Sequence, residues 1–425
     1  MSPEKADVLI VGAGPAGLAA GIALKRLGLA KVVVVDREAE PGGIPRLCHH
    51  TGFGLSDLHW AHSGPAYARH YVHNAETTGI ELHTSTTITG WNGPTTLAYT
   101  SPRGLGEIEA GAILLATGCR ERPRSARMIP GKRPPGVFTT GSLQRFVYQH
   151  HLPIGQRAVI VGAELVSLSA LLTLRHAGVS VAAMVTELPH HQIYFPYLPA
   201  KWWFADLIYR TPILTGARLS NIVGGRRVEG VEITRVNSGQ KERLDCDTVV
   251  FTGDWIPEHD LARLGGLAMD DGTRGPQVDA GFHTSARGVF AAGNLLHGAE
   301  TADTCALEGR RVAGHIRDFL NTDRWPEASL PVQVESPITW VFPNVVPVSS
   351  RGLVAGYFTF RVSEFRRNAQ VRVCQGESVL HVQSFRQLSP NDSHRLNGGW
   401  LSAVNSAGEA LRVDVRPKGI HPSAF

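Results

Sequence analysis

The sequence predicts an α/β protein with two three-layer domains that contain parallel sheets, and a small C-terminal β-rich domain. Residues 7–36 predict a strand, a tight turn, a helix and a second strand, because apolar runs flank a glycine-rich turn. The same pattern returns at residues 158–187, which indicates an internal repeat. After Pro331 the pattern changes to short strands separated by turn residues, which is typical of a β-sandwich or barrel.

The turn in the first repeat has the spacing Gly-x-Gly-x-x-Gly, at Gly12, Gly14 and Gly17. Gly12 permits the turn, Gly14 lets the backbone approach a pyrophosphate, and Gly17 allows the helix to pack closely on the strand. The helix N-terminus then faces the phosphates. Asp36 ends the second strand, where a carboxylate can accept a hydrogen bond from a ribose hydroxyl. Together these features predict a Rossmann-like dinucleotide-binding domain.

The domain boundaries follow from these patterns and from the prolines between them. We predict that residues 1–125 form the first part of the first dinucleotide-binding domain. A proline-rich crossing leads to the second such domain, at residues 126–255. Residues 256–325 return the chain to the first domain, and residues 331–425 form the β-rich domain.

Composition and charge argue against several classes of protein. Charged residues make up 19% of the chain and the formal net charge of +5 is spread along it, so we expect no nucleic-acid partner. The longest uncharged stretch, Val8 to Leu24, contains Gly-Pro, so we expect no transmembrane segment. The five cysteines are far apart and form no Cys-x-x-Cys. We therefore expect no disulfide framework, no metal site and a cytoplasmic location.

Several glycine-containing pieces occur in a fixed order along residues 5–320. They are the first glycine turn, Ala116-Thr117-Gly118, a second glycine turn at Gly162, Thr252-Gly253, and Gly288-Val-Phe-Ala-Ala-Gly293-Asn294. As a set they resemble the flavoprotein oxidoreductases with two dinucleotide-binding domains, the group that contains glutathione reductase and thioredoxin reductase. The resemblance implies FAD on the first domain and a nicotinamide nucleotide on the second.

A loop after Asp36 carries a closer resemblance. Gly42-Gly43-Ile44 and the pattern Cys48-x-His50-x-Gly52-Phe53-Gly54 resemble the FAD subunits found beside anaerobic-type glycerol-3-phosphate dehydrogenases. Related subunits occur in hydrogen cyanide synthase and in opine, sarcosine and hydroxyproline dehydrogenases. The resemblance implies an FAD-dependent oxidoreductase, the flavin subunit of a multi-subunit dehydrogenase or oxidase. Its small-molecule substrate would be an amine, amino acid or hydroxy compound, and its partner a dehydrogenase or electron-acceptor subunit.

The same resemblance implies a set of FAD contacts in the first domain and the return segment. They are Gly12, Gly14, Pro15, Ala16, Gly17, Asp36, Arg37, Gly43, Thr117, Gly118, Gly293, Asn294 and Thr301. Asn294 departs from the family, which usually has Asp there; Asn keeps an acceptor and adds a donor. Residues 300–304 open a helix whose N-terminus would face the flavin and stabilise its anionic reduced form.

The second glycine turn departs from the pattern. Gly162 is retained, but Glu164 stands in place of the middle glycine and Ser167 in place of the third. A carboxylate at that position would crowd and repel a pyrophosphate. Glu187 could still hold a ribose, so two interpretations stay open. Either the domain has lost NAD(P) binding, which we favour, or the nucleotide lies differently.

Candidate chemistry lies in the loop after the Gly-Gly turn. His50 could act as a general base toward a hydroxyl or amine substrate, because its ordinary pKa lies near neutrality. The alternative is that His50 only forms a hydrogen bond to the flavin or to a carbonyl. Cys48 could be a nucleophile or a small apolar filler. Cys48 has no second cysteine near it in sequence, so we do not expect disulfide reductase chemistry.

Residues 190–209 are unusually dense in aromatic side chains. They include His190, His191, Tyr194, Phe195, Tyr197, Trp202, Trp203, Phe204 and Tyr209. Adjacent residues such as Trp202 and Trp203 do not share one face of a helix. We expect these side chains to lie in the core, with a partner or quinone contact on one face as the alternative.

Two other functions remain compatible with the sequence. The first is a stand-alone NAD(P)H-dependent flavoprotein reductase of an electron carrier, which NADH would reduce rapidly. The second is a non-catalytic FAD-binding scaffold, which would hold FAD without being reduced by a nicotinamide nucleotide or a small substrate.

Overall fold

The structure is a computed structural model that describes residues 3–194, 197–326, 328–348 and 356–417. Phe195 of the aromatic run lies outside the described residues, as do residues 349–355 and 418–425 of the predicted β-rich domain. Among the described helices, none combines the length and the apolar character needed to cross a membrane.

The first part of the chain forms a sheet with helices packed against it. Its strands are β1 (Glu4–Val11), β2 (Val32–Val35), β3 (Thr51–Phe53), β4 (His62–Ser63), β5 (Glu81–His83), β6 (Thr87–Gly93), β7 (Thr96–Ser101), β8 (Gly104–Leu115) and β9 (Cys119–Glu121). Its helices are α1 (Pro15–Arg26) and α2 (Gly64–Thr77). A short 3-10 helix, Ile44–Leu47, lies in the loop after β2.

Strand β1 lies between β2 and β8 and pairs with both in parallel. The strand order is β5-β2-β1-β8-β7-β6. Strand β2 is four valines and all of it is buried, as expected of a strand covered on both faces. The carboxyl ends of β1 and β2 meet at one edge of the sheet, where the first glycine turn begins.

The second part of the chain repeats this arrangement with a parallel five-stranded sheet. Its elements are β10 (Val137–Thr139), α3 (Thr140–Gln144), β11 (Arg157–Val161), α4 (Leu165–His176), β12 (Ser180–Val185), α5 (Leu198–Ala200), β13 (Ile213–Leu214), β14 (Ala217–Gly224), β15 (Val228–Arg235), β16 (Lys241–Asp245), β17 (Thr248–Phe251), β18 (Trp255–Pro257) and α6 (Asp260–Leu264). The order is β10-β17-β11-β12-β13, and β14-β15-β16 form a separate antiparallel sheet. Strand β18 pairs with β9, which brings the chain back to the first domain.

The return segment completes the first domain with β19 (Val289–Ala291) and the long helix α7 (Ala302–Thr322). Strand β19 pairs in parallel with β8. Helix α7 packs directly on α1, because Gly309 has no side chain where the two helices meet. A Cβ at Gly309 would lie 2.1 Å from the carbonyl oxygen of Ala16.

The C-terminal part of the chain is strand-rich, as predicted. Its strands are β20 (Ser329–Val334), β21 (Ile338–Phe342), β22 (Val345–Pro347), β23 (Tyr357–Val362), β24 (Arg366–Gln375), β25 (Ser378–Leu388), β26 (His394–Asn397) and β27 (Leu411–Pro417). They form the sheets β22-β20-β27-β24-β25 and β21-β23-β26 around their own core. Two side chains of β21, Trp340 and Phe342, belong instead to the core of the first domain. The predicted fold class is confirmed.

The expectation that the whole aromatic run lies in the core is wrong. Trp202 and Trp203 lie in a π-helical segment, Lys201–Ile208, and are 58% and 57% exposed. Ala205 is the buried residue of this segment. Adjacent residues of a helix do not share one face, so the face that buries Ala205 cannot bury both indoles.

Candidate functional site

The first glycine turn has two glycines required by packing and one that faces open space. Gly12 has φ +111°, and a Cβ there would lie 2.3 Å from the carbonyl oxygen of Ala116. A Cβ at Gly17 would lie 1.9 Å from the carbonyl oxygen of Gly12. A Cβ at Gly14 would meet no atom within 4 Å, and no side chain caps the N-terminus of α1. Open space at an uncapped helix N-terminus fits a diphosphate.

The carboxylate of Asp36 is fixed by the backbone. Its two oxygens accept hydrogen bonds from the N–H of Ala13, at 2.7 Å, and of Glu38, at 2.8 Å. Each carboxylate oxygen has a second lone pair, so a ribose hydroxyl can still donate to it. The next side chain, Arg37, is mostly exposed and pairs with Glu258 at 3.2 Å.

The Gly-Gly turn lies directly against the first glycine turn. The N–H of Gly42 donates to the carbonyl oxygen of Ala13 at 2.8 Å. Gly43 has φ +65°, and a Cβ there would lie 2.9 Å from the Cα of Gly14. On another side, a Cβ at Gly293 would lie 2.8 Å from the Cβ of Ala16. The fold therefore brings together four of the predicted FAD contacts, namely Gly14, Ala16, Gly43 and Gly293.

Thr117 and Gly118 form hydrogen bonds with the backbone of Glu258, which follows β18. The hydroxyl of Thr117 donates to the carbonyl oxygen of Glu258 at 2.8 Å. The N–H of Glu258 donates to the carbonyl oxygen of Gly118 at 2.9 Å. Gly118 has φ +73° with no atom within 4 Å of a Cβ position, so it leaves space beside this contact.

Asn294 closes the loop in front of α7. Its Oδ1 accepts from the N–H of Glu300 at 2.7 Å, and its Nδ2 donates to the carbonyl oxygen of Glu300 at 3.2 Å. An ionised Asp could accept but not donate, so this loop gives a physical reason for Asn at the position. Thr301 then caps α7, because its hydroxyl accepts from the N–H of Thr304 at 3.3 Å.

Two buried acidic residues of α7 that the sequence reasoning missed hold the loops of the site. Glu308 accepts from the N–H of Gly293 at 3.0 Å, and Asp303 accepts from the N–H groups of Gly54 and Ser56 at 2.8 and 2.7 Å. Asp303 and Glu308 are only 4% and 3% exposed. An acidic residue on the apolar face of a predicted amphipathic helix is the signal that could have identified Glu308.

Glu308 also forms a buried pair with His297, at 2.9 Å between Oε1 and Nε2. Burial alone would lower the pKa of His297, since it disfavours the charged ring. The charge of Glu308 and its hydrogen bond outweigh burial and raise the pKa of His297. The ring of His297 lies beside Trp340 and Phe342 of the β-rich domain. This pair therefore lies where the two domains meet.

His50 and Cys48 belong to one hydrogen-bonded network. His50 contacts the carbonyl oxygen of Thr51 through Nδ1, at 2.9 Å, and the hydroxyl of Ser169 through Nε2, at 2.8 Å. The thiol of Cys48 lies 3.7 Å from Oε1 of Gln144. Burial lowers the pKa of His50 and raises the pKa of Cys48 to about 12. At neutral pH this environment favours a neutral imidazole and a thiol, so it suits a packing role for Cys48 better than a nucleophilic one.

The second glycine turn is filled by its own side chain. Glu164 occupies the N-cap position of α4 without a side-chain capping hydrogen bond and is 7% exposed. A Cβ at Gly162 would lie 2.7 Å from its Oε2. A Cβ at Gly253 would lie 3.1 Å from its Cδ. Burial raises the pKa of Glu164, and its Oε1 has no hydrogen-bond partner among the described residues. The residues of this turn do not fit a nicotinamide nucleotide, whose pyrophosphate would need the same space.

One surface cluster has the ligand types of a metal site. Ligand atoms of Glu4, Glu81 and His83 lie within 4.8 Å of one another. The ammonium of Lys31 lies 2.8 Å from Glu4 and 3.7 Å from Glu81, so a cation from the chain itself already balances these carboxylates. The expectation of no metal site stays a prediction.

The fold and the open first turn together define an FAD-dependent oxidoreductase with two dinucleotide-binding domains. The chain belongs to the pyridine nucleotide-disulphide oxidoreductase family, whose model matches residues 6–309. This match confirms the resemblance to the flavoprotein oxidoreductases with two dinucleotide-binding domains, and it confirms FAD as the cofactor.

Individual relatives cover the chain to different extents. It is similar to the alpha subunit of sarcosine oxidase from Rhizobium meliloti (strain 1021), with 24% identity in an alignment 437 positions long that covers 98% of this chain and 40% of that protein. It is also similar to one of the opine oxidase subunits of Agrobacterium tumefaciens (strain Ach5), with 27% identity in an alignment 334 positions long that covers 72% of this chain and 64% of that protein. The chain thus spans less than two thirds of the length of either relative.

The fold is shared with solved structures. The thioredoxin reductase of T. acidophilum superposes with a TM-score of 0.63 at 19% identity, over 74% of this chain and 98% of that one. At this identity the similarity shows the fold alone.

Proposed function

We propose that the chain is the FAD-carrying component of a multi-subunit dehydrogenase or oxidase. The contrast between the two glycine turns carries this proposal. The first turn leaves open space at Gly14, whereas the carboxylate of Glu164 fills the second. Electrons are therefore expected to enter from a small substrate or from a partner protein, not from NADH or NADPH on the second domain. The names of the relatives support this, since both are subunits of oxidases.

The substrate would be a small amine, amino acid or hydroxy compound, and the partner a dehydrogenase or electron-acceptor subunit. When bound, FAD supplies an acceptor for a hydride from the substrate carbon. The N-terminus of α1 would hold its diphosphate and Asp36 its ribose. The first turn of α7, capped by Thr301, would place a partial positive charge near the flavin.

His50 is our candidate for the group that takes the substrate proton. A hydride leaves carbon readily only when the adjoining hydroxyl or amine loses its proton, and a neutral imidazole can accept it. The Nε2 lone pair of His50 faces the hydroxyl of Ser169, so this hydroxyl has to turn away before Nε2 can accept a proton from a substrate. We place the protein in the cytoplasm, where its free cysteines would stay reduced.

Anaerobic reduction of the FAD-loaded protein tests the proposal. The protein is mixed with sarcosine, other secondary amines, amino acids and hydroxy acids, and separately with NADH and NADPH, while the flavin absorbance is followed. We expect bleaching by a small substrate, with or without the subunits that co-purify with the untagged chain. Fast bleaching by NADH or NADPH would instead support the stand-alone reductase. Full FAD content with no reduction by any small substrate, even with the co-purified subunits, would support the scaffold.

A further inference from the structure

The hydrogen-bond partners of His50 determine which ring nitrogen carries its proton. The carbonyl oxygen of Thr51 can only accept, so Nδ1, at 2.9 Å from it, must donate. In the neutral ring Nε2 is then an acceptor, and its partner at 2.8 Å is the hydroxyl of Ser169. Ser169 must therefore donate its hydrogen to His50.

The second partner of Ser169 leaves that hydrogen available. Nε2 of Gln144 lies 2.9 Å from the hydroxyl oxygen of Ser169, and an amide nitrogen can only donate. The other end of the amide, Oε1, is 3.7 Å from the thiol of Cys48, whose one hydrogen can go to it or to the carbonyl oxygen of Ile44 at 3.6 Å. The donors thus point the same way from Gln144 through Ser169 to His50 and on to Thr51, and Cys48 joins this relay when its thiol donates to Gln144.

The two middle members of this relay come from the second part of the chain. Gln144 lies on α3 and Ser169 on α4, and they are 2% and 8% exposed. Helix α4 is the one whose N-terminal turn is filled by Glu164. Through Ser169, this helix contacts His50 in the loop that follows the Gly-Gly turn of the first domain.

We propose that Ser169 and Gln144 are positioning residues that hold His50 as the neutral tautomer, with hydrogen on Nδ1 and with an electron pair on Nε2 that accepts from Ser169. The relay favours this neutral state because a proton on Nε2 would reverse the direction of its hydrogen bonds. A proton on Nε2 would face the hydroxyl of Ser169, which would have to accept from both His50 and Gln144 and donate elsewhere. Otherwise the amide of Gln144 would have to flip and donate to Cys48.

The buried environment of His50 also favours the neutral ring. Burial lowers the pKa of His50, although the carbonyl of Thr51 partly opposes this by accepting from the ring. The charged group that acts on the other end of the relay is Glu121, which adds to the effect of burial in raising the pKa of Cys48. Glu121 is partly buried, and its carboxylate accepts from the N–H of Gly141 at 2.7 Å. Both ends of the relay therefore stay uncharged at neutral pH.

The tautomer can be measured without an activity assay. The full-length, FAD-loaded protein is labelled with 15N-histidine, and the ring signals of His50 are assigned by their loss in His50→Gln. We expect the wild-type ring to have the shifts of a neutral Nδ1–H tautomer and to titrate below the ordinary histidine pKa. Ser169→Ala removes the donor to Nε2, so the pKa of His50 should shift upward.

Two further variants separate this effect from general disturbance. Ser169→Thr keeps the hydroxyl and should restore the wild-type titration. Ser180→Ala removes an exposed hydroxyl of the same domain, which donates to the carbonyl oxygen of Gln156, and should leave His50 unchanged. FAD content of each variant reports whether the site has folded. A wild-type Nε2–H tautomer, or an unchanged titration in folded Ser169→Ala, would overturn the proposal.

The catalytic meaning of the relay rests on the proposed function of His50, and the two can fail separately. If His50→Gln reduces its flavin with substrate as fast as wild type, the base role fails while the tautomer result stands. If the base role of His50 and its tautomer are both confirmed, the pH profile of flavin reduction should move in Ser169→Ala by the same amount as the pKa of His50 measured by NMR. A profile that stays in place while the NMR pKa moves would remove Ser169 from the reaction.

Discussion

Glu308 and His297 form a buried pair whose ring nitrogen and carboxylate oxygen lie 2.9 Å apart. The second oxygen of Glu308 holds the N–H of Gly293 at 3.0 Å. One carboxylate thus holds two positions, Gly293 and His297, of the connection between β19 and α7. Removing it leaves Nε2 of the buried imidazole and a buried N–H without partners, which is costlier than the loss of a surface pair.

We expect Glu308→Ala to lower the free energy of unfolding by about 3–5 kcal/mol, the range for breaking one side of a buried ion pair. Glu308→Gln is the matched control, because it keeps an acceptor for the N–H of Gly293 and should lose less. Chemical unfolding with FAD present measures both. Equal losses in the two variants would contradict this expectation and would show that the charge of Glu308, not the retained acceptor, accounts for the whole effect.

The same pair predicts how stability depends on pH. The pKa of His297 is raised in the folded protein above its ordinary value of 6.5. The contribution of protonated His297 to the free energy of unfolding is therefore complete below pH 6.5. It is lost as the pH rises through the raised pKa of the folded protein. We expect the free energy of unfolding to fall across that window in wild type and to be flatter in Glu308→Gln. Identical slopes in the two proteins would contradict the assignment.

The open face of Gly14 predicts a variant that loses FAD without losing its fold. Gly14→Glu places bulk and negative charge where the diphosphate would lie, and a Cβ at this position meets no atom within 4 Å. We expect a folded protein without flavin, measured by its absorbance and circular dichroism. Gly314→Glu is the control, since a Cβ at Gly314 of α7 also meets open space. Normal flavin content in Gly14→Glu would remove the first turn from the FAD site.

The filled second turn predicts slow or absent reduction by NADH and NADPH. Stopped-flow mixing of the FAD-loaded protein with each nucleotide measures this. Glu164→Gly should open the turn and raise nucleotide affinity, because Gly162 and Gly253 are retained beside it. Rapid bleaching of the wild-type protein by either nucleotide would show that the second domain binds it in another way.

His50→Gln keeps polarity and approximate size but cannot act as a base near neutral pH. If His50 takes the substrate proton, the variant should bind FAD normally and lose about 10²–10⁴-fold in the rate of substrate-dependent flavin reduction. The rate is measured by anaerobic stopped flow with the active substrate and the partner subunit. A rate near that of wild type, with the same pH profile, would leave His50 with a purely structural role.

The contact of β21 with the first domain predicts the result of limited proteolysis. A protease should cut in the link between α7 and β20, which has neither helix nor strand at residues 323–326. The two fragments should stay together without denaturant, because Trp340 and Phe342 pack in the core of the first domain. Size-exclusion chromatography of the cut protein checks this. Separation of the fragments would show that the β-rich domain folds independently.

The sequence alone determined the features that depend on local patterns. Buried apolar runs, the spacing of Gly12, Gly14 and Gly17, and the repeat at Gly162 each act through the conformation of a few adjacent residues. These patterns predicted the fold class and the departure at Glu164, and the family resemblance that they carry implied FAD. A turn of this kind has the same steric requirements wherever it occurs, so its sequence is enough to identify it.

Only the tertiary structure decided which distant side chains meet. His50 and Ser169 are 119 residues apart in sequence, and Gly54 and Asp303 are 249 apart, yet both pairs are within hydrogen-bond distance. Hydrogen bonds between such residues leave no periodic pattern, because each partner is set by the packing of whole elements. For the same reason, composition could not show that Trp202 is exposed. Exposure depends on what the fold places beside a side chain, which no neighbouring residue specifies.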